Sequence, residues 1–574
     1  MKILLAAINA KYIHSNLAVY SLKAYAEEYQ EHIGITEYTI NHRIDFILQE
    51  LYKQKPDVLC FSCYIWNFRY VQELIKEIHK LLPHLPVWAG GPEVSYEPEQ
   101  FLDAYPMVKG VLVGEGEGVF RDLCRYYIEG TEGLAEIPGL MFRDSKGELV
   151  KTAERQPLPM DQIPFCYKDL KDFCNRIIYY ETSRGCPFSC SYCLSSIEKN
   201  LRFRSFALVK QELQFFLDQQ VPQVKFVDRT FNCNQEHARN IWQYLKEHDN
   251  GVTNFHFEIS ADLLTDDEIA LIASMRPGLI QLEIGVQSTH EETIAEIHRS
   301  MDLPRLERAV TCLQQAGTVH QHLDLIAGLP EENFETFAES FRQVYQMKPE
   351  QLQLGFLKVL KGSYMYEHQK DYGLLVQEYP PYEVMRNHWL SYDEILKIKL
   401  AEEMLEVYYN SRQFEMTMKV LELTEENPFM MFLYLGEFYE SRGLMAMSHS
   451  RLRRCEILLD YIEETDSDHR ELYQETLTFD LYCRENIKSR PGWAPEISEF
   501  KQSSRRYCKK GKLSHLEPFW YDMEMIRHNK TLADYPEKKK KKSFYLFSYE
   551  QRCPLTGQAS VMLVDVEAGE KNAE

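Results

Sequence analysis

Tyr179-Tyr180-Glu181-Thr182-Ser183-Arg184-Gly185-Cys186-Pro187-Phe188-Ser189-Cys190-Ser191-Tyr192-Cys193 is the stretch on which the reading of this chain turns. Three thiols at C-x3-C-x2-C spacing fall in one short loop directly behind an apolar, strand-like run, Ile177–Thr182. A structural zinc site takes four ligands, commonly as two separated pairs, and no matching second pair stands nearby in the sequence. Three thiolates suit a cubane, a [4Fe-4S] cluster held by cysteine sulfur, and leave one of its irons open. Gly185 and Pro187 shape a loop that must wrap closely around such a group. Cys186, Cys190 and Cys193 are therefore the candidate metal ligands. A zinc knuckle completed by a distant ligand and a chance spacing are the alternatives.

Working outward, the loop follows the first of six strand candidates that alternate with helical stretches: Ile177–Thr182, Gln223–Val227, Asn254–Ile259, Leu279–Val286, His320–Ile326 and Gln353–Val359. This rhythm over residues 176–375 predicts a partial (βα)6 barrel with its site at the carboxyl ends of the strands. Upstream, residues 1–135 read as a second α/β unit, with strands at Lys2–Ile8, Ile35–Ile40, Asp57–Tyr64, Pro86–Ala89 and Val108–Val113. That pattern predicts a doubly wound, Rossmann-like parallel sheet. Its strand ends carry Ser62, Gly90-Gly91-Pro92 and Gly114-Glu115-Gly116-Glu117-Gly118, where glycine admits a ligand or simply turns the chain. Residues 136–175, with four prolines and little periodicity, read as a surface linker. From 376 to 574 the pattern is mainly helical, with Leu396, Leu400, Met404 and Val407 on one apolar face. Near the end, Lys538–Lys542 reads as a solvated turn, and Phe544–Tyr549 with Ala559–Val566 as a hairpin.

Bulk properties narrow the function. With 574 residues, 44% of them hydrophobic, the chain has apolar surface for several cores. A formal net charge of −22 makes a nucleic-acid partner improbable. No run reaches the ~18 apolar residues of a membrane span, and the start lacks the features of a secretion signal. Fourteen cysteines without an export signal point to the reducing cytoplasm.

The cysteine motif, its place after the first barrel strand and Tyr192 before the last cysteine resemble the radical S-adenosylmethionine (SAM) superfamily. The resemblance implies that the open iron chelates SAM, that one electron cleaves it to methionine and a 5′-deoxyadenosyl radical, and that Tyr192 contacts the adenine. Later strand ends are similar to the family's other SAM contacts. Asp228 sits where the family places a Gly-Gly-Glu segment, without its glycines. Glu258 and Ser260 end the next strand; Glu283-Ile284-Gly285-Val286-Gln287-Ser288 looks like an E-x-G-x-Q-S strand, and Asp324-Leu325-Ile326-Ala327-Gly328-Leu329-Pro330 like D-L-I-x-G-L-P. Asp228, Glu258, Ser260, Glu283, Gln287 and Gly328 are the SAM contacts this implies.

The upstream domain resembles the cobalamin-binding domain of class B members, which implies a corrin over the sheet edge near Ser62, Gly90, Gly91, Gly114 and Glu115. Many such domains carry Asp-x-His-x-x-Gly after the first strand; here Asn9-Ala10-Lys11-Tyr12-Ile13-His14-Ser15-Asn16 stands there, and His14 is off the motif position. It reads as a surface or hydrogen-bonding residue. The last 200 residues resemble an uncharacterised helical extension, in which Arg505, Arg506, Phe519 and Trp520 are substrate contacts or packed core. Together these features imply a cobalamin-dependent radical SAM methyltransferase acting on an unactivated carbon of a small molecule or peptide, fed by an electron donor such as flavodoxin or ferredoxin. Ring formation or rearrangement without net methylation, and a cobalamin or redox sensor without turnover, are the rival readings.

Overall fold

A computed structural model describes residues 1–130, 133–497, 513–553 and 556–565. Strand β1 (Ile3–Asn9) is buried along its whole length. Its alternating side chains serve two cores: Leu4, Ala6 and Ile8 pack on one face of the sheet, Ile3, Leu5 and Ala7 on the other. That is how a strand covered on both sides must read, apolar at every position. With β2 (Ile33–Thr39), β3 (Val58–Ser62), β4 (Val87–Gly90) and β5 (Gly110–Leu112) it forms a parallel sheet in the order β2-β1-β3-β4-β5. The helix Phe68–Leu81 turns one apolar stripe inward, Phe68, Val71, Leu74, Ile75 and Ile78, and leaves Leu81 exposed.

The stretch 136–175 departs from a plain linker. Within it, β6 (Leu140–Arg143) and β7 (Leu149–Lys151) form a hairpin that extends the sheet antiparallel from β5. The prolines that suggested a linker flank this hairpin: Pro138 precedes it, and Pro157, Pro159 and Pro164 follow it.

The second sheet starts at β8 (Ile178–Tyr180), followed by a short antiparallel pair, β9 (Ser183–Arg184) and β10 (Arg202–Phe203), that frames the cysteine loop. Strands β11 (Gln223–Phe226), β12 (Asn254–Ile259), β13 (Ile280–Gln287), β14 (His320–Ala327) and β15 (Gln351–Phe356) complete six parallel strands in the order β15-β14-β13-β12-β11-β8. In β13 the buried residues Ile280, Leu282, Ile284 and Val286 alternate with half-buried Gln281, Glu283, Gly285 and Gln287. The apolar set joins the core under the helices; the polar set lines the lumen. A closed (βα)8 barrel fills its interior with branched apolar side chains. This lumen is polar.

An open barrel leaves two strand edges with unpaired backbone groups, and both are covered. At β8, Ile177 N donates to Ile13 O at 2.7 Å and Ser15 Oγ donates to Ile177 O at 2.8 Å, so the loop after β1 seals that edge. At β15, the Asn410 side chain bridges Leu352, accepting from its N at 2.9 Å and donating to its O at 2.7 Å.

The C-terminal region packs helices Tyr392–Met404, Pro428–Ser441, Arg451–Thr465 and Arg470–Arg484 into one hydrophobic core with the barrel. The buried face of the first helix is Ile395, Ile398, Ala401 and Met404, while Leu396 is 42% exposed. The expected stripe is thus displaced by about one residue. Leu405–Asn410 continues this helix as a π-turn, which shifts the angular position of every later side chain. The expected hairpin is present as Ser543–Arg552 against Ala559–Val564, and Ser514–Phe519 adds a third strand. Phe519 is packed core; Arg505 and Arg506 lie outside the described residues. In the lysine run, Lys538 pairs with Glu471 and Lys539 with Asp522, and Lys542 lies over the Trp520 ring.

Glu332, buried beside β14, gives a stability prediction. It accepts from Ser288 Oγ at 2.6 Å and from Ser340 Oγ at 2.8 Å, and burial pushes its pKa up to about 7. The folded chain therefore holds this proton more tightly than the unfolded chain, and stability falls as pH rises from the ordinary glutamate value through 7. Glu332→Gln is expected to remove that slope and to stabilise the protein at pH 8 by on the order of 3 kcal/mol. Urea unfolding at pH 5 and pH 8 measures it; equal midpoint differences at both values would refute the account.

Candidate functional site

The cysteine loop is fixed by backbone before any ligand is considered. Gly185 adopts φ +91°, and a Cβ there would lie 2.7 Å from Asn200 O, so only glycine lets the two sides of the loop meet. Cys186 N donates to Glu198 O at 3.0 Å and Cys193 N to Cys190 O at 3.1 Å. Ser191 ties the far side to the barrel: its N donates to Ile297 O, and its O accepts from Met365 N, both at 2.9 Å. Cys186 and Cys190 are buried and Cys193 is partly exposed, all at the carboxyl end of the barrel. Cys186 Sγ lies 3.8 Å from Thr230 Oγ1, and Arg299 Nη1 lies 3.8 Å from Cys190 Sγ. Arg299 also donates to Gly285 O and stands near Tyr192, whose phenol pKa is raised by burial.

Arg184, two residues before Cys186, is the hub of the site. Its guanidinium meets Glu181 at 2.9 Å, Glu117 at 2.6 Å and Glu115 at 3.4 Å. Glu117 also accepts from Ser21 Oγ at 2.9 Å, and Glu115 pairs with Arg202. Glu115 and Glu117 belong to the Gly-Glu-Gly-Glu-Gly segment after β5, Glu115 at the N-cap and Glu117 in the first turn of helix Gly116–Glu129. Glu115, expected beside a corrin, instead uses its carboxylate to hold the two arginines that flank the cysteine loop.

Asp228 departs from expectation as well. It exposes no surface, and its carboxylate accepts from Thr182 N at 3.0 Å, Thr182 Oγ1 at 2.6 Å and Ser183 Oγ at 2.6 Å. Burial raises its pKa to about 6 despite those donors. A carboxylate so enclosed braces the strand ends under the cysteine loop; it does not face a ligand in the mouth. Gly328, at φ +88°, is set by packing: a Cβ would stand 2.6 Å from Val384 Cγ1, and Asn387 Nδ2 donates to Gly328 O at 2.9 Å.

Glu258 and Glu283 do face the lumen, in adjacent register. Lys225 Nζ donates to Glu283 at 2.8 Å and lies 3.8 Å from Glu258, which Arg229 approaches at 3.7 Å. Burial alone would favour protonating Glu283, yet the His256 hydrogen bond and the Lys225 charge outweigh it and hold its pKa well below the usual range. Burial dominates at Glu258 and raises its pKa. Gln287 sits at φ +74°, beside a register shift between β13 and β14, and its buried Oε1 has no partner among the described residues. Ser260 is turned toward Asp262, to which its hydroxyl donates at 2.6 Å.

The first sheet presents its carboxyl edge to the same mouth. Ser62 ends β3 and Gly90 ends β4. Gly91 is demanded by packing, since a Cβ would collide with the Cys63 carbonyl. Gly114 is different: at φ +82° it has open space where a Cβ would project. Aromatic side chains, not singled out in the sequence, line this edge. Tyr64 stacks on Trp66 with centroids 4.5 Å apart, and Trp66 and Tyr96 remain 41% and 39% exposed. Burial raises the Tyr96 pKa, and the nearby Cys193 and Glu198 charges add to it. His14 forms a 2.6 Å hydrogen bond between its Nδ1 and Tyr179 OH, in keeping with its reading as a hydrogen-bonding residue.

These residues fit the groups the sequence implies. Among the described residues, no three His, Cys, Asp or Glu side chains converge tightly enough to chelate one metal ion. A cubane does not require that, because each thiolate binds a different iron, and the three-thiol donor set on one loop matches it. The exposed aromatics and the open space at Gly114 suit a large flat macrocycle at the sheet edge.

Comparison with known proteins agrees. Residues 3–124 match the B12 binding domain, 180–344 the Radical SAM superfamily and 370–548 a protein family of unknown function, DUF4080. The chain is 26% identical over 307 residues to the cobalamin-dependent radical SAM methyltransferase TokK of Streptomyces tokunonensis, covering 50% of this chain and 44% of that protein. It thus spans less than half the length of this curated relative. In fold it resembles the cobalamin-dependent radical enzyme OxsB, solved with aqua-cobalamin and SAM (TM-score 0.56, 15% identity, 83% of this chain and 78% of that one). It also resembles the methyltransferase TsrM of Kitasatospora setae, solved with cobalamin and a [4Fe-4S] cluster (TM-score 0.54, 17% identity, 66% and 78%). The chain is a radical SAM protein with a cobalamin-binding domain.

Proposed function

We propose that this protein is a cobalamin-dependent radical SAM methyltransferase acting on an unactivated carbon. One observation carries the reading: Arg184 joins the cysteine loop to Glu115 and Glu117 at the start of helix Gly116–Glu129 in the B12-binding domain, so both cofactor-binding edges share one mouth. When bound, the cluster supplies an electron to SAM and cobalamin supplies a transferable methyl group. Cys186, Cys190 and Cys193 hold the cluster. Arg299 places positive charge beside Cys190, where an anionic carboxylate of SAM is electrostatically welcome. Glu258, Glu283 and the free Gln287 acceptor form the polar wall for its amino and hydroxyl groups. Trp66 and Tyr96 offer flat apolar faces to the corrin.

The reaction needs a reductant, and we propose a flavodoxin or ferredoxin. Thirteen cysteines among the described residues are free and no described helix is long and apolar enough to cross a membrane, which supports a reducing, cytoplasmic setting. The test is anaerobic reconstitution with iron, sulfide and hydroxocobalamin, then SAM and a reductant, with products read by mass spectrometry. Methyl transfer predicts 5′-deoxyadenosine together with S-adenosylhomocysteine, since a SAM that has given up its methyl becomes the latter. Deoxyadenosine alone would point to rearrangement or ring formation, and neither product would overturn the enzyme reading.

A further inference from the structure

On the face of the barrel opposite the mouth, the C-terminal domain meets the start of β15 and encloses a cavity of ≈ 300 Å³. Its wall brings together Lys348, Arg412, Lys419, Arg527 and Lys530 with Glu350, Glu415 and Glu422. Two of the carboxylates are already neutralised: Lys348 pairs with Glu422 at 2.7 Å and Arg412 with Glu415 at 2.6 Å. Lys419 has only carbonyls, donating to Ile526 O at 3.0 Å and Arg527 O at 2.8 Å, and Lys530 donates to the Gln314 side chain. Arg527 is exposed at the rim. Lys419, Arg527 and Lys530 thus stand against one remaining carboxylate, Glu350, in a chain whose net charge is −22. Burial pulls the Lys419 pKa below the usual lysine value, although the Glu415, Glu422 and Asp480 charges oppose it.

The backbone is unusual at the same place. Lys348 and Arg412 both adopt left-handed φ, +53° and +57°, at helix ends that would ordinarily take glycine. The π-helical turn Leu405–Asn410 supplies Tyr408 and Tyr409 to the wall. Strained non-glycine residues and π-turns persist where surrounding structure or a ligand holds them, and they concentrate at binding sites.

We propose that this cavity binds a small phosphate ester. A phosphate monoester brings close to two negative charges and several acceptor oxygens in a compact group, matching two ammoniums and one guanidinium better than a single carboxylate does. The volume is at the lower end of the range for small-molecule sites, and Tyr409 and Met418 offer apolar surface to the organic part. The site lies away from the radical chemistry and does not depend on it.

Calorimetric titration of the full chain with phenyl phosphate, at constant ionic strength, tests this, with benzoate as the matched carboxylate. Saturable binding of phenyl phosphate is expected, at least tenfold tighter than benzoate. Arg527→Ala with Lys530→Ala, both at exposed positions, should weaken it at least tenfold, and Lys419→Gln should do the same, while the visible absorption of the cluster stays unchanged. No saturable binding, equal binding of benzoate, or unaltered binding by the Arg527→Ala/Lys530→Ala protein would each overturn the proposal.

Discussion

Alanine at Cys186, Cys190 or Cys193, one at a time, will abolish SAM cleavage, by more than about 10³-fold, and leave the fold standing. The loop that carries these thiols is held by backbone contacts that do not involve sulfur: Cys186 N to Glu198 O, Ser191 N to Ile297 O, Ser191 O from Met365 N. Removing one Sγ from a residue 7% exposed at the mouth costs little packing compared with a deep core truncation. Two thiolates, by contrast, cannot hold three corners of a cubane. The expected result is loss of the cluster's visible absorption and of 5′-deoxyadenosine, with circular dichroism unchanged and cobalamin still bound by the separate sheet. Wild-type cleavage by all three variants would sink the site. Unfolding of all three would show that the loop depends on its cluster for structure.

The alternation of strand and helix announced both α/β units in the sequence because each strand, covered on both faces or on one, writes its burial directly into residue type. β1 is apolar from Ile3 to Ile8 and β13 at every second position, and each pattern has a single structural translation. The cysteine loop was legible for the same local reason: its chemistry sits within eight residues. What stayed hidden was long-range. Glu115 and Asp228 read as ligand contacts because the family resemblance places cobalamin and SAM contacts at those strand ends. Their partners, Arg184 and Arg202 for Glu115 and Thr182 and Ser183 for Asp228, are 45 to 87 residues away. The hairpin at Leu140–Lys151 lay within the proline-rich stretch read as linker, and Leu396 was put on the wrong helix face because Ile395/Ile398 and Leu396/Leu400 form two adjacent apolar stripes that spacing alone does not separate. Trp66 and Tyr96 could have been suspected, since each lies just after a strand end where a doubly wound sheet binds its ligand.

Arg184→Gln should uncouple the two halves of the site and destabilise the chain by about 3–5 kcal/mol. The magnitude follows from what is left behind. Arg184 is 16% exposed and meets three carboxylates, so its loss strands Glu117 and Glu181 without a counter-charge and leaves Glu115 to Arg202 alone. Glu117 is informative because burial opposes its ionisation and the Arg184 charge overrides it, keeping its pKa below the usual value; at Glu181 burial already wins. In the variant both carboxyls are raised, so the folded state takes up protons that the unfolded state releases, and stability falls as pH climbs above the ordinary glutamate range. The deficit should therefore be smaller at pH 5 than at pH 8, and Arg184→Gln combined with Glu117→Gln should recover much of it, a coupling that a double-mutant cycle reads directly. Arg184→Lys should rescue poorly, because a single ammonium cannot span three carboxylates as a planar fork does. In reconstituted protein the cluster should still form, since its thiols are untouched, while S-adenosylhomocysteine formation drops more than 5′-deoxyadenosine formation. If both products fall in proportion, or if the pH dependence of unfolding matches the parent protein, then Arg184 merely packs and the two domains are aligned by other contacts.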